Sequence, residues 1–121
     1  MDLTATTQQT NGVSVVTLTG RIILGEESAL LRDTVAELLQ QGHRKILFDL
    51  SGVTYIDTTG LGSLTGSLAK VTKEGGDLKL VNLAPKLQDL MQITKLYTVF
   101  EIFDDRNAAV GSFSQSAGAS A

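Results

Sequence analysis

The chain has no cysteine and no tryptophan, and only one proline and one histidine in 121 residues. Without cysteine there can be no disulfide framework, thiolate metal site or thiol nucleophile. A single histidine, His43, leaves neither a Ser-His pair nor a clustered ligand set of the kinds that catalytic sites use. Beside Gly42 it reads as a polar residue near a helix C-terminus. No apolar run approaches the roughly 20 residues of a membrane-spanning helix, and the first residues lack the charged-then-apolar order of a secretory signal. The expectation is a soluble, cytoplasmic protein, compatible with a reducing compartment. Ten Lys and Arg are scattered among thirteen Asp and Glu, for a net charge of −3. With no basic stripe to neutralise phosphates, direct nucleic-acid binding is not expected.

The length suits one compact domain with a real core. Val13 to Thr19 is a β-branched run separated from the weakly alternating Leu3–Thr7 by the turn signal Thr10-Asn11-Gly12, which predicts an N-terminal hairpin ending at Gly20. After Gly25, the acidic pair Glu26-Glu27 and the apolar positions Leu31, Val35 and Leu38 predict a helix closed by Gly42. Lys45 to Asp49, apolar throughout Ile46-Leu47-Phe48, predicts a central strand covered on both faces. A second helix from Thr58 carries Leu61, Leu64, Leu68 and Val71 on one face and ends at Gly75-Gly76. Leu78, Leu80 and Leu83 mark the next strand, and Pro85 starts a third helix with Leu87, Leu90 and Met91. Val99–Phe103 is the last expected strand. Residues 111–121 are small and polar and are expected to form a flexible tail. The alternation implies an α/β sheet with right-handed crossovers.

The most informative segment is Asp57-Thr58-Thr59-Gly60-Leu61-Gly62, where a strand gives way to a helix. With Asp57 as N-cap, its carboxylate accepts the N–H of Thr59 or Gly60, and Thr58 becomes the first helical residue with its hydroxyl at the rim. Two readings fit. The four residues are a capping sequence, or Thr58 is a phosphorylation site, where about two added charges would meet the helix donors and the opposing charge of Asp57. The small residues Gly62, Ser63 and Gly66 also allow two readings, because each helical glycine costs about 1 kcal/mol relative to alanine. They permit close packing against the protein's own sheet, or they form a partner surface beside Thr58.

Other chemistry is poorly supported. Gly60-Leu61-Gly62 matches neither a P-loop nor a dinucleotide fingerprint. Asp49 and Asp57 are unlike a catalytic carboxylate pair, since the first is expected to end a strand and the second to cap a helix. Aspartyl phosphorylation on Asp49 would require an acidic pair for magnesium that the first strands lack, Asp2 being too near the terminus.

The stretch Asp49-Leu50-Ser51-Gly52-Val53-Thr54-Tyr55-Ile56-Asp57-Thr58-Thr59-Gly60-Leu61-Gly62 closely resembles the signature of STAS-domain anti-sigma factor antagonists. Leu18-Thr19-Gly20, Gly75-Gly76-Asp77-Leu78-Lys79-Leu80-Val81-Asn82, Pro85 with its helix, and Leu96 to Phe103 follow the same family order, so the likeness covers roughly residues 3–105. It implies a single STAS domain over residues 1–110, with a small mixed β-sheet and helices packed mainly on one side. The implied work is partner switching rather than catalysis, and the chain itself needs no cofactor or metal. When unphosphorylated, such a protein binds a GHKL-type anti-sigma factor kinase and so releases a sigma factor. Phosphorylation of the residue after the signature Asp, here Thr58, ends that binding, and a phosphatase restores it. By the same resemblance Asp57, Thr59 and Gly60 form the environment of the modified residue. Arg21, Ile22, Ile23 and Leu24, with Gly62, Ser63 and Gly66, are the expected partner surface, on a monomer or weak dimer that contacts neither membrane nor nucleic acid. Thr58 stands where many relatives carry Ser, and Arg21 where an acidic residue is common. A cation at Arg21 is either a solvated strand-end charge or a partner for an acidic group. Two rivals are a STAS scaffold or transporter-associated subunit, as in a lipid-transport complex, that is never modified, and a nucleotide-binding sensor.

Overall fold

In the computed structural model, residues 3–120 are described, with the side chains of all but 26, 27 and 114–120. Asn11 and Gly12, at φ 51° and 81°, form a two-residue turn whose left-handed backbone matches the twist of a hairpin. It joins β1 (Leu3–Thr10) to β2 (Val13–Ile22) in unbroken antiparallel register. Helix α1 (Glu26–Gln40) then crosses to β3 (Lys45–Ile56), α2 (Thr58–Lys73) to β4 (Asp77–Val81), and α3 (Pro85–Thr94) with a 3-10 turn at Leu96–Thr98 to β5 (Ile102–Phe103). The strand order is β1-β2-β3-β4-β5, antiparallel only between β1 and β2. This is the expected mixed α/β sheet.

Period-two alternation divides the sheet residues between two layers. Val16, Leu18, Phe48, Leu50, Leu78 and Leu80 join Leu31 and Val35 of α1, Leu64 and Val71 of α2, and Leu87 and Met91 of α3 in the larger core. The second face carries Val13, Val15, Leu47 and Val81, covered by Ala109, Val110 and Phe113 of a fourth helix, α4 (Arg106–Ser120). Three helices therefore lie on one side and one on the other. Ile46 to Leu50 are all buried, as expected of a strand covered twice.

Four expectations shift. Gly20 does not end β2, which continues past a register irregularity at Gly20/Arg21 to Ile22. Asp49 does not end a strand but lies inside the 12-residue β3. The last strand is only Ile102–Phe103, because Lys95 turns left-handed at φ 61° and the Phe100 N–H donates back to the Leu96 carbonyl. The boundary drawn at residue 110 falls inside α4, and Phe113 is buried beneath it. The composition of the tail is small and polar, but one aromatic at helical spacing from Ala109 and Val110 is enough to seat the helix.

Polar anchors orient α4 on its face. Arg106 donates to Asp49 through both Nε and Nη2, and Nη2 also reaches Thr17 Oγ1 at 3.2 Å. Asp49 further accepts the Ser51 N–H at 3.0 Å. Burial pushes the Asp49 carboxyl up, but its bonds to Arg106 and Ser51 outweigh that and hold it below the usual carboxylate value. Lys79, 3 % exposed, places Nζ 2.9 Å from Ser112 Oγ and 3.2 Å from Glu101, over the Phe113 ring at 4.6 Å. This is a cation on an aromatic face, shielded from water.

Because the Asp49 pKa is depressed on folding, its contribution to stability is complete above the unfolded value of about 3.9 and is lost as pH falls through the folded one. Arg106→Ala should destabilise the protein by about 2 kcal/mol, less than a fully buried pair because the guanidinium is 40 % exposed. Urea titration at neutral pH measures the loss, and the gap between variant and wild type should close as pH falls through the folded Asp49 pKa. An unchanged midpoint at neutral pH would show that α4 does not depend on this pair.

Candidate functional site

β3 ends at Ile56, and Asp57, with extended backbone (φ −90°, ψ 179°), is the N-cap of α2. One carboxylate oxygen accepts the Gly60 N–H at 2.7 Å and the other accepts the Leu24 N–H at 2.9 Å. The Asp57 N–H donates to the Ile22 carbonyl at 3.1 Å, and its carbonyl accepts the Leu61 N–H at 2.8 Å. The bonds from Gly60 and then Leu24 hold the Asp57 carboxyl below the usual value. One acidic residue thus caps α2 and ties the β2–α1 connection to it. Since α1 begins at Glu26, right after this connection, two helix N-termini are brought to the same end of the sheet. Their partial positive charges favour an anionic group.

Gly60 makes the approach possible. A Cβ there would lie 2.0 Å from the Ile22 carbonyl oxygen, so no other residue fits without displacing the backbone. Thr58 and Thr59 are exposed, and among the described residues neither side chain has a partner, since Asp57 already performs the capping.

The expected partner residues separate. Arg21 and Leu24 are exposed, Leu24 by 71 %, and Ile23 is half-buried. Gly62 and Gly66 face open space on the surface. Ile22 and Ser63, however, are buried, so their side chains do not line the surface. Ile22 alternates inward from Arg21 at the end of β2 and joins the larger core. Ser63 lies on the inward stripe of α2 with Leu64 and Ser67, and the Ser67 hydroxyl donates to its carbonyl at 2.8 Å. The small residues of α2 therefore have two jobs. Gly60, Ser63 and Ser67 are packed, while Gly62 and Gly66 are presented.

Tyr55 is a surface residue that sequence reasoning missed. It is 53 % exposed, paired in register with Arg21, and borders a cleft of about 200 Å³ lined by Thr54, Ile56, Lys86, Leu87 and Leu90. Strict alternation would turn Tyr55 inward with Val53, but the register shift between Gly20↔Val53 and Arg21↔Tyr55 leaves Thr54 as an extra residue, so Tyr55 faces out and Ile56 in. Asp49 is engaged with Arg106 on the α4 face and Asp57 with two backbone N–H groups, so they form no carboxylate pair. No group of three His, Cys, Asp or Glu able to hold a metal occurs among the described residues. No described helix is long and apolar enough to cross a membrane.

The STAS domain model matches residues 4–109. The chain belongs to the STAS domain family. It is 40 % identical over 73 residues to the anti-sigma-B factor antagonist of Bacillus subtilis, covering 60 % of this STAS chain and 66 % of that protein, slightly less than two thirds of its length. Its fold is similar to an anti-sigma factor antagonist from Mycobacterium paratuberculosis, with TM-score 0.77, 23 % identity, and coverage of 92 % and 93 % of the two chains. It is also similar to the phosphorylated form of the Bacillus cell fate determinant SpoIIAA, with TM-score 0.69, 17 % identity, and coverage of 90 % and 98 %.

The two kinds of glycine in α2 should respond oppositely to alanine. Gly60→Ala should cost about 3 kcal/mol by forcing the Ile22 backbone away, whereas Gly62→Ala should stabilise by about 1 kcal/mol through helix propensity. Thermal and urea unfolding of both variants check this, and equal effects would contradict the packing described.

Proposed function

We propose that this STAS domain is a non-enzymatic anti-sigma factor antagonist whose binding to an anti-sigma factor kinase is switched off by phosphorylation of Thr58. The observation that carries the proposal is a hydroxyl at the start of α2 that is exposed and bonded to nothing among the described residues, because Asp57 already satisfies the helix end. A residue with no structural task can change its charge without unfolding its surroundings. The choice of Thr58 over Thr59 rests on its place immediately after the signature aspartate.

The physics of the switch is local. Leu24, held to the Asp57 carboxylate, is exposed apolar surface at this end, and Gly62, one turn on from Thr58, opens the helix surface beside it. A phosphate would add about two negative charges to that surface. The two helix N-termini would stabilise it within the protein, and Asp57 would oppose it. In a docked complex the same group would have to be desolvated against the partner. A loss of about 1.4 kcal/mol already weakens binding tenfold. In this reading the kinase is of the GHKL type and holds the ATP and magnesium, and a phosphatase resets the switch.

Intact-mass measurement after incubation with candidate kinases and Mg-ATP is the direct test. One added phosphate is expected on the wild type and none on Thr58→Ala, which should still bind the kinase. Thr58→Glu should bind at least tenfold more weakly. Phosphate found on Thr59 alone would move the assignment by one residue. A partner that binds wild type and Thr58→Glu equally, with no phosphate added, would favour the unmodified scaffold instead.

A further inference from the structure

The two edges of the sheet are treated very differently. At one edge β5 is two residues long, and at the other β1 runs for eight, Leu3-Thr4-Ala5-Thr6-Thr7-Gln8-Gln9-Thr10. Natural sheets protect such an edge with a charge, a proline, a bulge or short length, since its unpaired N–H and C=O groups invite another strand. β1 has none of these. It contains no charged residue, proline or glycine, its register with β2 is uninterrupted, and Thr4 and the run Thr6 to Gln9 are exposed. Its four threonines favour the strand conformation.

The backbone groups that face outward follow from the hairpin. A two-residue turn makes Thr10 and Val13 a hydrogen-bonded pair. Alternation then fixes the rest of the strand: the N–H and C=O of Thr4, Thr6, Gln8 and Thr10 face β2, and those of Ala5, Thr7 and Gln9 face away from the sheet. We propose that β1 is a homodimerisation edge, pairing antiparallel with β1 of a second copy about a two-fold axis at Thr7 to form one continuous ten-stranded sheet.

The occupant is a second copy because the edge is complementary to itself. About that axis Thr7 meets Thr7 and Ala5 meets Gln9 as hydrogen-bonded pairs, while Thr6 meets Gln8 and Thr4 meets Thr10 between them. No like charges oppose one another, and an isologous contact closes at two subunits, leaving no β1 edge to propagate. A groove of about 200 Å³ between β1 and α1, lined by Thr7, Gln9, Thr34, Glu37, Leu38 and Gln41, gives the incoming side chains room. β1 and the Thr58 turn are separated by β2 in the strand order, so pairing leaves the switch surface of each copy open. Contact limited to one strand and its groove makes the dimer concentration-dependent.

Analytical ultracentrifugation of the full chain from micromolar to millimolar concentration tests this. Wild type should show twice the mass of one chain at the upper end and dissociate on dilution. Thr7→Pro removes an outward N–H rather than one paired with β2, a position where an edge strand tolerates proline, so it should leave the melting temperature of the diluted protein within a few degrees of wild type and weaken dimerisation at least tenfold. The double variant Thr6→Lys with Gln8→Lys, which sets like charges opposite one another across the axis, should stay monomeric and folded throughout. A wild type that remains monomeric over the whole range would overturn the proposal, as would a dimer that survives the lysine pair.

Discussion

The Asp57 carboxylate sits at the junction on which one end of this STAS domain's sheet depends. Its two oxygens accept N–H groups from residues on either side of it in space, Gly60 in α2 and Leu24 in the connection to α1. A single side chain therefore caps one helix and positions the entry to another. Gly60 completes the junction, because only a residue without Cβ lets α2 lie against the Ile22 carbonyl. The Thr58 hydroxyl remains outside this bonding pattern while its backbone is held within it. A hydroxyl held this way can change its charge without disturbing the bonds that fix its backbone.

The remote face of the sheet is organised by polar contacts rather than apolar packing alone. Asp49 and Lys79 point away from the main core and would be costly to bury unpartnered. Arg106, Ser112, Glu101 and the Phe113 ring supply their partners. These directional contacts select the position of α4, whereas the apolar residues beneath it supply most of the burial. Thr58 and the Asp49–Arg106 pair thus lie at different parts of the same central strand, one following its end and the other inside it on the second face.

The α2 helix shows why small residues are ambiguous in a sequence. Gly60, Gly62, Ser63, Gly66 and Ser67 look alike as a composition, yet rotation by about 100° per residue sends them to different surroundings. Gly60, Ser63 and Ser67 turn inward, and Gly62 and Gly66 turn out. The leucine stripe pointed to the buried side, but the width of that side depends on how closely α1 and the end of β2 approach. Ile22 departs from its expected surface role for a related reason. It belongs to a segment near the site, but strand alternation places its side chain in the core.

Local chemistry alone determined the hairpin turn at Asn11-Gly12, the cap at Asp57, the start of α3 at Pro85, the central apolar strand and the exposed hydroxyl after the cap. Each is written in a few adjacent residues, where backbone preference and hydrophobic period act directly. Tertiary structure decided the length of β2 and β3, the brevity of β5, the seating of α4 and the division of the partner segment into buried and exposed members. These depend on contacts between residues far apart in the chain, such as Arg106 with Asp49, Leu24 with Asp57 and Gly60 with Ile22. No local pattern encodes such distances, because they exist only once the sheet has brought the segments together.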